Sequence, residues 1–222
     1  LNFATAPAVN PKTNAELGDD AYIPQDIGFN FPVFGDNYAI VCISTNGSLV
    51  FRNAGTVTDL FNLSAISHES LIELRGGPPR LAPYWHDLDA RPAATPGANG
   101  IYFRRDADRV VITWNNIRDF INDPQRDTGV QRFQVIIFRD GRISFNYDSI
   151  QLTSKALVGL APGTTLTSPT QVSFSSMPAN VYTNAFAEFF TLDPGIDELA
   201  VAKTFLQNHG NRESYDFLYV MT

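Results

Sequence analysis

Short runs of alternating apolar and polar residues, separated by turn-forming residues, make up most of the chain after residue 16. A period of two residues predicts β-strands with one buried and one wet face, as in Ile143, Phe145 and Tyr147. Strands are predicted at 29–34, 38–44, 48–52, 101–104, 109–114, 132–138, 142–147 and 156–160, with shorter ones at 171–175 and 187–192. Many short strands favour an all-β fold, and we expect an antiparallel β-sandwich.

The residues between these runs predict hairpins. Asn46-Gly47 and Asp140-Gly141 each lie between two apolar runs, which is the strongest local hairpin signal. Further turns are expected at 35–37 and 106–108, and a polar loop is expected at 118–129. Pro83 lies within the run 81–88, so that strand should be an edge strand or an irregular crossing.

Both ends of the chain differ from this pattern. Residues 1–16 predict an extended N-terminal arm, which leaves 17–192 as the sandwich domain. Asp193-Pro194 resembles a helix start, and the apolar residues that follow have helical spacing. Tyr215 to Thr222 is then expected to form an apolar strand. Residues 193–222 therefore predict a helix plus strand, either appended to the sandwich or opening a further domain.

Composition excludes several classes. The net charge is −7 and basic residues are scattered, which disfavours nucleic-acid binding. No run reaches the roughly 20 apolar residues of a membrane span. The single cysteine, Cys42, lies in an apolar run and is expected to be a buried hydrophobic residue, and one cysteine excludes an internal disulfide framework.

Several segments together resemble the extracellular domain of nidogen and tectorin. They are Ile-Gly-Phe-Asn-Phe-Pro-Val-Phe-Gly at 27–35, Ser-Thr-Asn-Gly-Ser-Leu-Val-Phe at 44–51, Leu-Ala-Pro-Tyr-Trp-His-Asp-Leu-Asp at 81–89, Asp-Gly-Arg-Ile-Ser-Phe-Asn-Tyr at 140–147 and Val-Gly-Leu at 158–160. The resemblance covers roughly 17–165 and implies a non-catalytic, secreted or cell-surface module. Since the chain lacks the cysteine-rich modules that flank animal members, a bacterial exported relative is expected.

Asp87 and Asp89 are the candidate metal ligands. They lie two residues apart, so a strand would place both carboxylates on one side. Such a pair suits Ca²⁺, with Asp19 and Asp20 or loop carbonyls completing the shell. The alternative is that both carboxylates cap a turn by hydrogen bonds to the backbone. No other cofactor is expected.

The remaining chemistry-bearing residues form no catalytic pattern. The histidines, His68, His86 and His209, have no zinc-binding spacing. A sugar-stacking face could be built from Trp85, Trp114, Tyr84 and Tyr102, although packing in the core is the expected role of these aromatic residues. Two glycosylation sequons begin at Asn46 and Asn62, and the turn explains Asn46 better.

Three functional hypotheses follow. The first is a non-catalytic structural or adhesion module of an exported protein, which recognises a protein or glycan surface through a sheet face or the loop end. The second is a lectin-like sandwich with metal-ordered loops. The third is an accessory domain of a secreted hydrolase whose catalytic part lies beyond Thr222. Self-association is left open.

Overall fold

The computed structural model describes residues 20–53, 74, 76–90, 100–120, 130–151, 156–163, 170–171, 186–190 and 213–217. The strands are β1 (Tyr22–Val33), β2 (Asp36–Ser44), β3 (Leu49–Arg52), β4 (Arg80–Trp85), β5 (Leu88–Asp89), β6 (Gly100–Arg105), β7 (Arg109–Asp119), β8 (Val130–Phe138), β9 (Ile143–Ser149), β10 (Ala156–Ala161), β11 (Thr170–Gln171), β12 (Phe186–Phe190) and β13 (Glu213–Phe217). The described part is therefore nearly all β, as the alternation predicted.

The strands form two sheets. The seven-stranded sheet has the order β1-β2-β3-β4-β10-β12-β11, and its pairs are antiparallel except β11 with β12. The six-stranded sheet has the order β13-β9-β8-β7, after which β5 and β6 both pair with β7. Two mainly antiparallel sheets packed face to face confirm the sandwich.

The core lies between the sheets, where alternate residues of facing strands meet. Ile143, Phe145 and Tyr147 are buried there, as their alternation predicted. The Trp114 and Phe133 rings stack with centroids 4.8 Å apart. Burial of aromatic side chains at about 25 cal/mol per Å² is the main stabilising contribution in such a core.

A proline lies in a central strand. Since β4 lies between β3 and β10, the edge-strand prediction for Pro83 was wrong. The irregular crossing is confirmed, because the pairing with β10 shifts register between Leu157 and Gly159. The bulge tolerates a residue without an N–H. The Pro83 carbonyl oxygen accepts a hydrogen bond of 2.6 Å from the Tyr147 hydroxyl.

The predicted hairpins are present, with one displaced turn. β2–β3, β6–β7 and β8–β9 are antiparallel pairs around the expected turns. The first turn lies at Phe34-Gly35 rather than 35–37, and both residues have positive φ, 48° and 92°. Two positive-φ residues match the twist of a tight hairpin. β2 therefore begins earlier than its apolar residues indicate.

Some predictions lie outside the described residues or differ in extent. The N-terminal arm, the helix after Asp193, Asn62, His68 and His209 are all outside them. β7 continues through Asp119, so the loop predicted from 118 begins later. Residues 171–175, 187–192 and 215–222 contribute shorter or shifted strands. Among the described residues, no helix is long and apolar enough to cross a membrane.

Candidate functional site

The tip of the β2–β3 hairpin is buried inside the protein. Ser44 donates its N–H to the Ser48 carbonyl at 2.8 Å, and Gly47 donates to the Ser44 carbonyl at 3.3 Å. Positive φ falls on Gly47 at 73° and not on Asn46, which is the pattern of a three-residue loop closed by a glycine bulge. The Trp114 indole N–H donates to the Ser44 carbonyl at 3.0 Å. The tip is thereby joined to the opposite sheet.

Asn46 connects three segments of the chain. Its Nδ2 donates to Asp20 Oδ1 at 2.8 Å, and its Oδ1 accepts from the Leu88 N–H at 3.0 Å. Its carbonyl accepts from the His86 N–H at 3.2 Å. The side chain is only 2% exposed, so both of its amide atoms are satisfied within the protein. Asn46 therefore positions the 86–89 segment that the sequence singled out.

A buried polar network closes this end of the core. His86 Nε2 lies 3.4 Å from Asp119 Oδ2, and Asp119 Oδ1 accepts from Gln131 Nε2 at 2.7 Å. Gln131 also exchanges two hydrogen bonds with the backbone of Gln151, at 2.8 and 2.9 Å. His86 follows β4 of one sheet, whereas Asp119 and Gln131 belong to the other. The network links the two sheets.

A bulge in β7 brings Asp119 into this network. The pairing of β7 with β8 shifts register between Trp114 and Ile117, and Asn116 has a positive φ of 54°. Asparagine tolerates this conformation better than most residues. The extra residue reverses the alternation, so Ile117 and Asp119 are both buried. Sequence reasoning placed 118–129 in a loop and missed Asp119; the only available signal was the Asn115-Asn116 pair.

The arrangement of His86 suits structure better than catalysis. A histidine oriented by a carboxylate is half of a nucleophile-activating triad. Here His86 is 4% exposed, and its ring meets the Tyr84 ring edge-on at 5.8 Å. A substrate would have to displace core packing to reach Nε2. The His86–Asp119 pair therefore acts as an inter-sheet contact.

Asp87 and Asp89 lie beside this network on its outer side. Both are half-buried, whereas Leu88 and Ala90 between and after them are buried. The Asp87 carbonyl accepts from the Phe120 N–H at 2.8 Å, which fixes the backbone. Within the described residues, no group of three or more His, Cys, Asp or Glu side chains is placed to hold a metal. Calcium binding at Asp87 and Asp89 stays a prediction.

Chelation tests that prediction. If the two carboxylates bind Ca²⁺, calcium at 100 times its Kd should stabilise the folded state by about 2.7 kcal/mol. EDTA should remove this stabilisation and lower the melting temperature by several degrees. The double variant Asp87→Asn/Asp89→Asn should melt at the same temperature with and without EDTA. Asp36→Asn, at an exposed residue of β2, is the control and should keep the EDTA effect. An unchanged wild-type curve would assign both carboxylates to hydrogen bonding.

The other candidate side chains belong to the core. Trp85, Trp114 and Tyr84 are each at most 1% exposed, so core packing is confirmed and these three rings offer no sugar-stacking platform. Tyr102 alone of the four is partly exposed. Burial raises the pKa of the Cys42 thiol to about 11. A thiol at neutral pH is a poor nucleophile, so Cys42 is the buried hydrophobic residue expected.

Among the described residues, the opposite end of the sandwich carries most of the exposed charge. We call it the hairpin end: the turns 104–109 and 139–142 together with residues 26–29 of β1. Five arginines lie there, namely Arg104, Arg105, Arg109, Arg139 and Arg142. Arg139 donates to the Ala107 carbonyl from Nε at 3.2 Å and from Nη2 at 2.8 Å, and its guanidinium lies 4.9 Å above the Phe29 ring. The two turns are thus joined rigidly.

Two of these arginines stack over the same aromatic ring. The guanidinium carbons of Arg109 and Arg142 lie 4.9 and 4.4 Å from the Phe138 centroid. Arg109 bonds both oxygens of Asp108, at 3.0 and 2.7 Å, and these hydrogen bonds lower the pKa of Asp108. Arg142 Nε bonds Asp140 at 3.0 Å. Stacking and pairing hold both guanidinium groups in place while leaving them in solvent.

Comparison with known proteins identifies one match. A family model described as "NIDO related" matches residues 2–196, which is most of the chain. No curated protein and no solved structure matches. The matched range contains both the buried hairpin tip and the hairpin end.

Proposed function

Since the chain belongs to the NIDO-related family, whose domains are in general extracellular, we propose that it is a non-catalytic binding or structural module of an exported protein, acting in adhesion or as a scaffold. The observation that carries this proposal is the burial of the side chains that could act in catalysis. His86, Asp119 and Cys42 are buried and serve the contacts of the sandwich. Among the described residues, the largest group of exposed charged side chains lies at the hairpin end instead.

The hairpin end is the proposed recognition surface. On the outer face of the six-stranded sheet, Thr113, Gln134 and Asn146 are buried, at 2%, 4% and 0% exposure. The centre of that face is therefore closed to a partner, which favours an end of the sandwich. At the hairpin end Arg105, Arg109 and Arg142 are 48%, 38% and 47% exposed. Guanidinium groups held by stacking lose little entropy on binding carboxylates.

A protein is the proposed partner. Four aspartates alternate with the five arginines at this end, and four of the arginines each pair with one of them. Such mixed charge is a poor surface for a polyanion, since polyanion binding needs clustered positive charge. It suits a protein surface whose charges match in position. Burial of Trp85 and Trp114 removes the main stacking groups for a glycan.

Charge reversal at the hairpin end is expected to weaken partner binding. The immobilised chain is probed with a panel of purified extracellular matrix proteins and with a glycan array. We expect a protein to bind, and Arg109→Glu/Arg142→Glu to weaken it at least tenfold, about 1.4 kcal/mol. The ion pairs that are lost lie at the surface, where such pairs contribute little to folding, so the variant should remain folded.

Arg118→Glu is the matched control, because Arg118 is exposed at the far end of β7. It should bind like the wild type. Equal binding by both variants would contradict the assignment of the hairpin end, and binding to glycans alone would contradict a protein partner.

A further inference from the structure

The last described strand lies outside the range that matches the family. The match ends at residue 196, whereas β13 comprises Glu213–Phe217. β13 nevertheless pairs with β9 along five residues, from Glu213 opposite Tyr147 to Phe217 opposite Ile143. An element beyond the family domain therefore occupies the edge of that domain's six-stranded sheet.

The register of this pairing matches the two sequence patterns from Ser214 to Phe217, whereas Glu213 is opposite the core residue Tyr147. Tyr215 is opposite Phe145, a core residue, and Phe217 is opposite Ile143, another core residue. Between them, Asp216 is opposite Ser144, which lies on the outer face. A slip of one residue would set apolar positions of β13 against polar positions of β9. The alternation of β9 therefore favours this register over a slip of one residue.

Two of the sheet edges, at β1 and at β9, differ in the features that limit pairing with a further strand. β1, the edge of the seven-stranded sheet, contains Pro24 and Pro32, and its pairing with β2 is interrupted between Asp26 and Phe31. Prolines and bulges are the usual devices that prevent an edge from pairing with another chain. β9 contains no proline between Ile143 and Ser149 and pairs with β8 through most of its length. Its edge is built to accept a strand.

The chain that leads to β13 is long. Residues 191–212 separate β12, which belongs to the seven-stranded sheet, from β13. At about 3.3 Å per residue, such a connection spans up to about 70 Å, more than twice the length of a nine-residue strand. Covalent geometry thus allows β13 to reach the β9 edge of its own molecule or of a neighbour.

In this structure residues 213–217 of the same chain pair with the β9 edge, and we propose that this edge also accepts residues 213–217 from a second copy of the chain. Both arrangements make the same ladder, so their free energies differ mainly by the effective concentration of the strand. Exchange between copies gives a strand-swapped dimer whose population rises with protein concentration. This assembly does not depend on the recognition surface proposed above.

Disulfide trapping in the full-length chain tests the exchange. One copy carries Ser144→Cys and the other Asp216→Cys, two residues that the register places opposite each other. The copies are mixed, equilibrated over a range of concentrations and oxidised. We expect a cross-linked heterodimer whose yield rises in proportion to concentration at low occupancy. Cys42 is buried, with its thiol pKa raised to about 11, and should not react.

Ser149→Cys replaces Ser144→Cys as the matched control, because Ser149 is exposed on the same strand but lies beyond the residues that pair with β13. It should give no heterodimer. The double variant Ser144→Cys/Asp216→Cys measures the pairing of β13 with β9 within one chain. If this variant forms its disulfide within one molecule and the mixture never yields a dimer, exchange is refuted. If neither cross-link forms, the acceptor site itself is refuted.

Discussion

Gly47→Ala is expected to lower the melting temperature by about 10 °C or more, or to prevent folding, which circular dichroism can measure. A Cβ at this residue would overlap the carbonyl oxygen of Tyr84 and would lie 3.0 Å from Cζ of Phe133. The positive φ of 73° adds strain for any residue with a Cβ. The main obstacle is backbone of a central strand, which cannot move aside without disturbing its neighbours. We therefore expect the free energy of unfolding to fall by about 4 kcal/mol or more.

Gly35→Ala separates the two contributions. Gly35 has a similar positive φ, 92°, but a Cβ there would meet nothing within 4 Å. The Gly35→Ala variant should lose only about 1 kcal/mol of the free energy of unfolding, through backbone strain alone. Its melting temperature should fall by about 2–4 °C. If the two variants melt together, the hairpin tip does not pack against β4 as described.

Asn46→Asp is expected to give the second large effect, and this effect should depend on pH. The substitution keeps the shape and the acceptor for Leu88, but it removes the donor to Asp20 and places a second carboxylate beside it. A buried, unpaired charge costs roughly 3 kcal/mol or more. The destabilisation should be largest at neutral pH.

The sign follows from the protonation of the new carboxyl group. Burial and the neighbouring Asp20 disfavour its charged form, so its pKa in the folded state lies above the unfolded value of about 3.9. The folded state then binds the proton more tightly, and the penalty present above the folded pKa disappears as the pH falls below the unfolded pKa.

The matched control is Asn30→Asp, since Asn30 is exposed in β1. It makes the same change of charge and should melt within a degree or two of the wild type at each pH. Thermal melts of both variants and the wild type between neutral and acidic pH provide the comparison. A penalty at Asn46 that does not fall with pH would contradict a buried carboxylate beside Asp20.

Local signals predicted the strands and hairpins well. Apolar alternation placed Ile143, Phe145 and Tyr147 on one buried face, and the structure confirms this. Asn46-Gly47 and Asp140-Gly141 both form the same loop, with positive φ at the glycine. These features depend on side-chain period and on backbone freedom within a few residues, which sequence reports directly.

The site depended on contacts between distant segments. Asn46 was interpreted as a turn residue, yet its amide also holds the Leu88 backbone, 42 residues away. Asp119 was assigned to a loop, and only the bulge in β7 turns it toward His86. A bulge shifts every later residue to the other face, and no local pattern announces it.

The fold class, the strand pattern, the main hairpins and the resemblance that the family match supports could all be inferred from the sequence. The central place of β4, the burial of the Asn46 tip and the link that His86 makes between the sheets became visible only in the folded chain. The difference lies in the range of the interactions. Turn conformation and side-chain alternation are set by neighbouring residues, whereas strand order, burial of polar groups and edge pairing depend on which distant segments meet.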